Sequence, residues 1–117
     1  MNAIIERAPL LRALRLARAA VERRAADTPS VPGAVRLDAD PVSGTLRLDA
    51  TDGALALTLS LPAAVDDGWR RAVAAHPLAA LVADLPDGPL TLAATDDTGG
   101  ATLVIAAGGF RAILPTL

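Results

Sequence analysis

The sequence has no cysteine, no lysine and no tyrosine, and only one residue each of histidine, tryptophan, phenylalanine and methionine. Without cysteine there is no disulfide framework and no thiolate metal site. With one histidine, His76, any metal site would have to be all carboxylate. Two aromatic residues are too few for a platform that stacks successive bases. Long apolar runs are missing as well. Asp, Arg, Gly or Pro interrupts each one well before the ~20 residues that a bilayer-spanning helix needs. Residues 1–7 include Glu6 and no apolar signal core. No nucleophile sits beside a candidate base, and no glycine-rich phosphate loop or paired-carboxylate spacing stands out. The expectation is a non-enzymatic, cofactor-free, cytoplasmic domain. Its 117 residues suffice for one domain that buries roughly two-thirds of its unfolded surface.

What the chain does contain is alanine, leucine, aspartate and arginine, the last in place of lysine, as GC-rich coding produces. The charges are unevenly placed. Residues 1–26 carry six arginines against two glutamates, and the remainder carries five arginines against eleven aspartates. A mildly acidic protein with one basic segment is no general polyanion binder, but it can present a local phosphate-facing surface.

Residues 9–24 have helical spacing, with Leu10, Leu14, Ala17 and Val21 on one stripe and Arg12, Arg15, Arg18 and Arg23 on the other side. Pro9 suits the first turn, and Asp27, Pro29, Pro32 and Gly33 end the helix. Period-two alternation predicts strands over 34–39, 45–51 and 54–61, the first two joined by a hairpin loop at 40–44. Asp66, Asp67 and Gly68 predict a turn, followed by a strand over 69–74 and a helix over 77–85 that buries Leu78, Leu81, Val82 and Leu85. Strands over 90–95, 101–106 and 110–114 complete the chain, with turns at 96–100 and 107–109. With a strand over 2–6 in front, the order is strand, helix, three strands, stated twice. Two helices on one side of largely antiparallel sheets make an α+β domain. Asp66-Asp67 and Asp96-Asp97 stand beside glycine and read as turn formers rather than metal ligands. Trp69 reads as a core or interface anchor.

Four motifs follow one another in order. They are Ile4-Ile5-Glu6-Arg7 before Leu10-Leu11, Gly44-Thr45-Leu46-Arg47-Leu48 before Ala50-Thr51-Asp52, Leu85-Pro86-Asp87-Gly88, and Leu114-Pro115-Thr116-Leu117. In this order and with these gaps the sequence resembles the first domain of the bacterial DNA sliding clamp, the β subunit of DNA polymerase III, over essentially its whole length. There are departures. The family has three such domains per chain, and its polymerase-peptide pocket is made by the later ones. Gly53 and Ala54 replace an acidic residue after the Thr-Asp pair, and a family arginine just before the loop after the first helix would fall near Thr28, leaving open whether Arg23 and Arg24, a few residues earlier, serve instead.

The resemblance implies a DNA-clamp fold whose helices line a ring and face duplex DNA without reading sequence, while the sheets run on between subunits. It makes Arg12, Arg15, Arg18, Arg23 and Arg24 the candidate DNA-binding residues. Taken alone, such a charge run is usually just a solvated helix face. The second helix offers no basic residue, only His76 before it, which by itself is a surface histidine. Phe110 and Ile113 are the candidate subunit-interface residues, because a last strand on a sheet edge invites pairing. The expected function is a processivity or tethering factor for DNA replication, self-associated into a ring or partial ring of about six domains. Its expected partners are double-stranded DNA, further copies of the chain and replication or repair proteins. A second reading is a protein-interaction module of clamp fold that binds a full-length clamp or another complex and does not encircle DNA. A third makes the chain a piece of a longer clamp.

Overall fold

The computed structural model describes residues 1–27, 33–51, 56–97 and 100–116, with the side chains of 22–27, 97 and 100 left aside. Thr28, Gly53 and Ala54 lie outside the described residues. In chain order the elements are β1 (Asn2–Glu6), α1 (Arg7–Asp27), β2 (Ala34–Asp40), β3 (Thr45–Thr51), β4 (Ala56–Pro62) and β5 (Ala64–Val65). Then come β6 (Trp69–Ala74), α2 (Ala75–Asp84), β7 (Pro89–Asp97), β8 (Gly100–Ala107) and β9 (Phe110–Pro115).

Alternating apolar residues explain the strands. Val35, Leu37 and Ala39, then Leu46, Leu48 and Ala50, then Leu90, Leu92 and Ala94, then Leu103, Ile105 and Ala107 all point into one core. Leucine has no strong intrinsic preference for strands, but burying each Val, Leu or Ile among these side chains is worth about 1.5–3 kcal/mol, so the period of two prevails. From the helices, Leu10, Leu14, Ala17 and Val21 of α1 and Leu78, Ala79 and Val82 of α2 close the same core. Among the described residues no polar or charged residue is fully buried.

The strands form two antiparallel sheets, a four-stranded one in the order β4-β3-β2-β6 and a five-stranded one in the order β5-β1-β7-β8-β9. Each strand-helix-strand unit lends its first strand to the other unit's sheet. Thus β1 pairs with β7, Ile4 opposite Thr91, while β6 pairs with β2, Val73 opposite Val35. The exchange is matched at the helix starts. Arg7 N donates to Gly88 O at 3.0 Å, and Ala75 N donates to Gly33 O at 2.8 Å. These are equivalent positions in the two units, and they give the doubled pattern of the sequence its physical form.

Several boundaries differ from the sequence reading, and helix α2 starts at Ala75, two residues early, so that His76 lies within it rather than before it. Helix α1 starts at Arg7, so Pro9 is its third residue and still lies in the first turn. The two-residue β5 is too short to show any period. Asp96 and Asp97 belong to β7 rather than to a turn, because the β7-β8 ladder runs on to the pair Asp97–Gly100. The Arg71 guanidinium meets Asp96 there at 3.0 Å. Trp69 is buried in the core.

Candidate nucleic-acid interface

Packing of the α1 stripe onto the core leaves Arg12, Arg15, Leu16 and Ala19 exposed along the opposite side, with Arg18 half-buried beside them. Arg23 and Arg24 follow in the last turns of α1, and their side chains lie outside the described residues. Helix α2 exposes His76, Pro77, Ala80 and Asp84, and has no arginine.

Eight of the eleven arginines fall into two groups. Five are held by aspartates. Arg7 pairs with Asp87 at 2.8 Å, Arg36 with Asp49 at 3.2 Å, and Arg47 with both Asp49 (3.1 Å) and Asp38 (3.5 Å). Arg70 pairs with Asp38 at 3.2 Å and Arg71 with Asp96 at 3.0 Å. Arg12 and Arg15, by contrast, have no carboxylate partner among the described residues, and neither has Arg111 on β9. Among the described residues, positive charge without a carboxylate partner therefore sits on the exposed face of α1, at Arg12 and Arg15, and at one sheet edge, at Arg111.

Arg7 belongs to the basic segment in sequence, yet it takes no part in this face. Its side chain crosses to the end of α2, where Nε donates to Val82 O at 3.0 Å and Nη2 to Ala83 O at 2.8 Å. A cation on the last carbonyls of a helix is favourably placed against the helix dipole. No signal in the sequence marks this, because Arg7 and Val82 are 75 positions apart.

On the outer face of the four-stranded sheet, Asp38 and Asp49 sit among Arg36, Arg47 and Arg70 and leave little net charge. Burial pushes the Asp49 carboxyl up, but hydrogen bonds from Thr58 and Arg36 together with the Arg47 charge outweigh it and hold the carboxyl below its usual range. A hollow of about 600 Å³ opens on this face, bordered by Arg36, Arg47, Thr58, Ala34 and Ala72. Nothing in it adds charge to the α1 face. Asp40 is also held low, by the Val42 N–H and the Ser43 hydroxyl, in the turn where Gly44 takes φ +66°.

The free edges of the sheets are unequal. On the five-stranded sheet β5 is only two residues long, and on the other sheet β6 carries Arg70 and Arg71; short length and charge both protect an edge. The remaining two edges are open. Strand β4 has no charged side chain, and β9 has Arg111 alone. Phe110 is 43% exposed and Ile113 55% exposed, and alternation places them on opposite faces of β9.

No protein-family model matches the sequence, and no curated protein sequence matches it. Solved structures do. A Helicobacter pylori β clamp bound to a DNA ligase peptide matches the whole chain with a TM-score of 0.85 and 20% identity. A DNA polymerase sliding clamp from Caulobacter crescentus matches with a TM-score of 0.84 and 35% identity, and a second structure described as Caulobacter crescentus pol III β with 0.83 and 36%. This chain spans 30–31% of the length of those proteins, which is one domain. No described helix is long and apolar enough to cross a membrane.

Proposed function

We propose that this chain, which has the fold of one bacterial sliding-clamp domain, associates edge to edge into a ring or partial ring around duplex DNA and acts as a non-catalytic tether without sequence specificity. The observation that carries this reading is the arginine division. Acidic partners neutralise the arginines of the outer sheet face and of the α2 end, and leave Arg12 and Arg15 on α1 for phosphate. Such contacts release counterions and carry no base information, so a closed ring could slide. Two open edges on different sheets, β4 and β9, support head-to-tail association with Phe110 and Ile113 at the junction. Arg18, Arg23 and Arg24 extend the same helix face in this reading. Replication or repair proteins are its further partners and the cytoplasm its location.

The test is retention on nicked circular DNA against linear DNA over a salt series, with the double variant Arg12→Glu/Arg15→Glu beside the wild type. The wild type is expected to stay on the circle longer than on the linear form. The double variant should lose retention at least tenfold with its folding unchanged. Equal retention by both proteins would remove α1 from the interface.

One observation favours a second reading, a clamp-fold module that binds another protein without encircling DNA. The exposed side of α2 has no arginine and carries Asp84. Capture of a stable protein partner by a chain that fails to retain circular DNA would select it.

A further inference from the structure

The two sheets turn unlike faces outward. The four-stranded sheet covers its outer face with Arg36, Asp38, Arg47, Asp49 and Arg70. The five-stranded sheet does not. Residues paired across an antiparallel ladder share a face, so its outer face follows from the register. One line across it runs through Ile4, Thr91, Ala106 and Arg111, and the next through Asn2, Ala93, Val104 and Ile113. Ile4 is 48% exposed and Ile113 55% exposed, one on each flank. Between them Val104 is buried by its neighbours on this face and has no place in the core. In the line beyond, Thr95 and Thr102 hydrogen-bond each other, which leaves little unsatisfied polarity there.

Among the described residues, just two charged side chains stand on this face of β1, β7, β8 and β9, and they have opposite signs. Glu6 lies on β1, one step beyond Ile4, and Arg111 lies on β9. Both are exposed, and neither has an ion-pair partner among the described residues. An apolar strip that carries one unpaired charge of each sign, on opposite flanks, is complementary to itself.

We propose that this face packs against the same face of a second copy of the chain, about a two-fold axis that runs parallel to the strands between β7 and β8. Rotation about that axis lays β8 over β7 of the second copy and β9 over β1, and keeps each level along the strands opposite itself. Val104 then packs on Ala93 of the second copy, and the stem of Arg111 covers Ile4. Its guanidinium reaches Glu6. With packed sheets about 10 Å apart and one step of about 6.8 Å along the strand, the two Cα atoms lie about 12 Å apart, within the combined reach of the two side chains. The symmetry forms this ion pair on both flanks. Four strands by three levels measure about 19 by 17 Å, roughly 300 Å² a side, which belongs to weak and transient interfaces. The contact uses no residue of α1 and no edge backbone, so it is separate from DNA retention and from edge-to-edge association.

Because the chain has no cysteine, a single introduced one can report the contact. In Ala93→Cys the two thiols face each other across the axis with about 11 Å between Cα atoms, a gap that a short bismaleimide spans. Cross-linked dimer is expected at about 0.5 mM protein, with at least tenfold less for Ser60→Cys, exposed on the outer face of the other sheet. Thr91→Cys, one step along β7, takes the place of Ala93→Cys if that variant fails to fold. Edge pairing through β4 and β9 holds the two copies of position 93 several strands apart and gives no link. Adding Glu6→Arg or Arg111→Glu to Ala93→Cys should each cut the yield at least fivefold. The two together exchange the charges and should recover it, with folding of every variant checked by the fluorescence of Trp69. No link at position 93, equal linking at 93 and 60, an unchanged yield in the single charge variants, or an exchange that recovers nothing would each overturn the proposal.

Discussion

A single carboxylate shows how the outer charges are kept quiet. Asp49 accepts from Arg36 at 3.2 Å, Arg47 at 3.1 Å and Thr58 at 2.9 Å. Because these contacts lower its folded-state pKa below the unfolded value, its contribution is complete above about pH 4 and is lost as the pH falls through the folded value. Asp49→Asn is expected to lower stability by about 1 kcal/mol at pH 7, and the gap should be narrower at pH 3. Urea unfolding followed by the fluorescence of Trp69, the one tryptophan, measures both. A gap that stays constant between the two pH values would show that the charge of Asp49 does nothing for stability. The sequence makes the α1 arginines visible through helical spacing. It cannot show that the other arginines are neutralised, since Arg71 and Asp96 are 25 positions apart and Arg7 and Asp87 are 80 apart.

Between elements, Arg7 ties the start of α1 to the end of α2. Arg7→Ala removes the ion pair with Asp87 and uncovers Val82 O and Ala83 O. A loss of about 1–2 kcal/mol is expected, with faster hydrogen exchange concentrated in α2, and exchange rising evenly over the whole chain would contradict it. Most elements were legible because each has one buried face. Strands β1, β3 and β6 match the periodicity to the residue, and β2, β4 and β7–β9 shift by a residue or two. Pairing was not legible. Alternation says which side chains of β1 turn inward, yet nothing in it says that the partner is β7 of the other unit. The two open edges shared this fate, because an edge is a property of the assembled sheet. Ile113 could be suspected from its place in the last strand, whereas the bare β4 edge emerged only with the sheet order.

At the scale of the molecule, the open β4 and β9 edges predict an assembly that grows with concentration. Native mass measured over a concentration series is expected to move from monomer toward a discrete closed oligomer, with Ile113→Asp and Phe110→Ala shifting the midpoint upward at least tenfold. A monomer at every concentration would exclude a self-made ring and leave the interaction module. The exchange of first strands between the two units reaches further still. Strand β1 is made well before its neighbour β7, which lies more than 80 residues later, at Pro89–Asp97. While the chain is still on the ribosome, Ala3 and Ile5 of β1 must wait, apolar and unpaired, until β7 has emerged. The two units therefore cannot fold in turn, because the four-stranded sheet waits for β6 and the five-stranded sheet for β7 to β9.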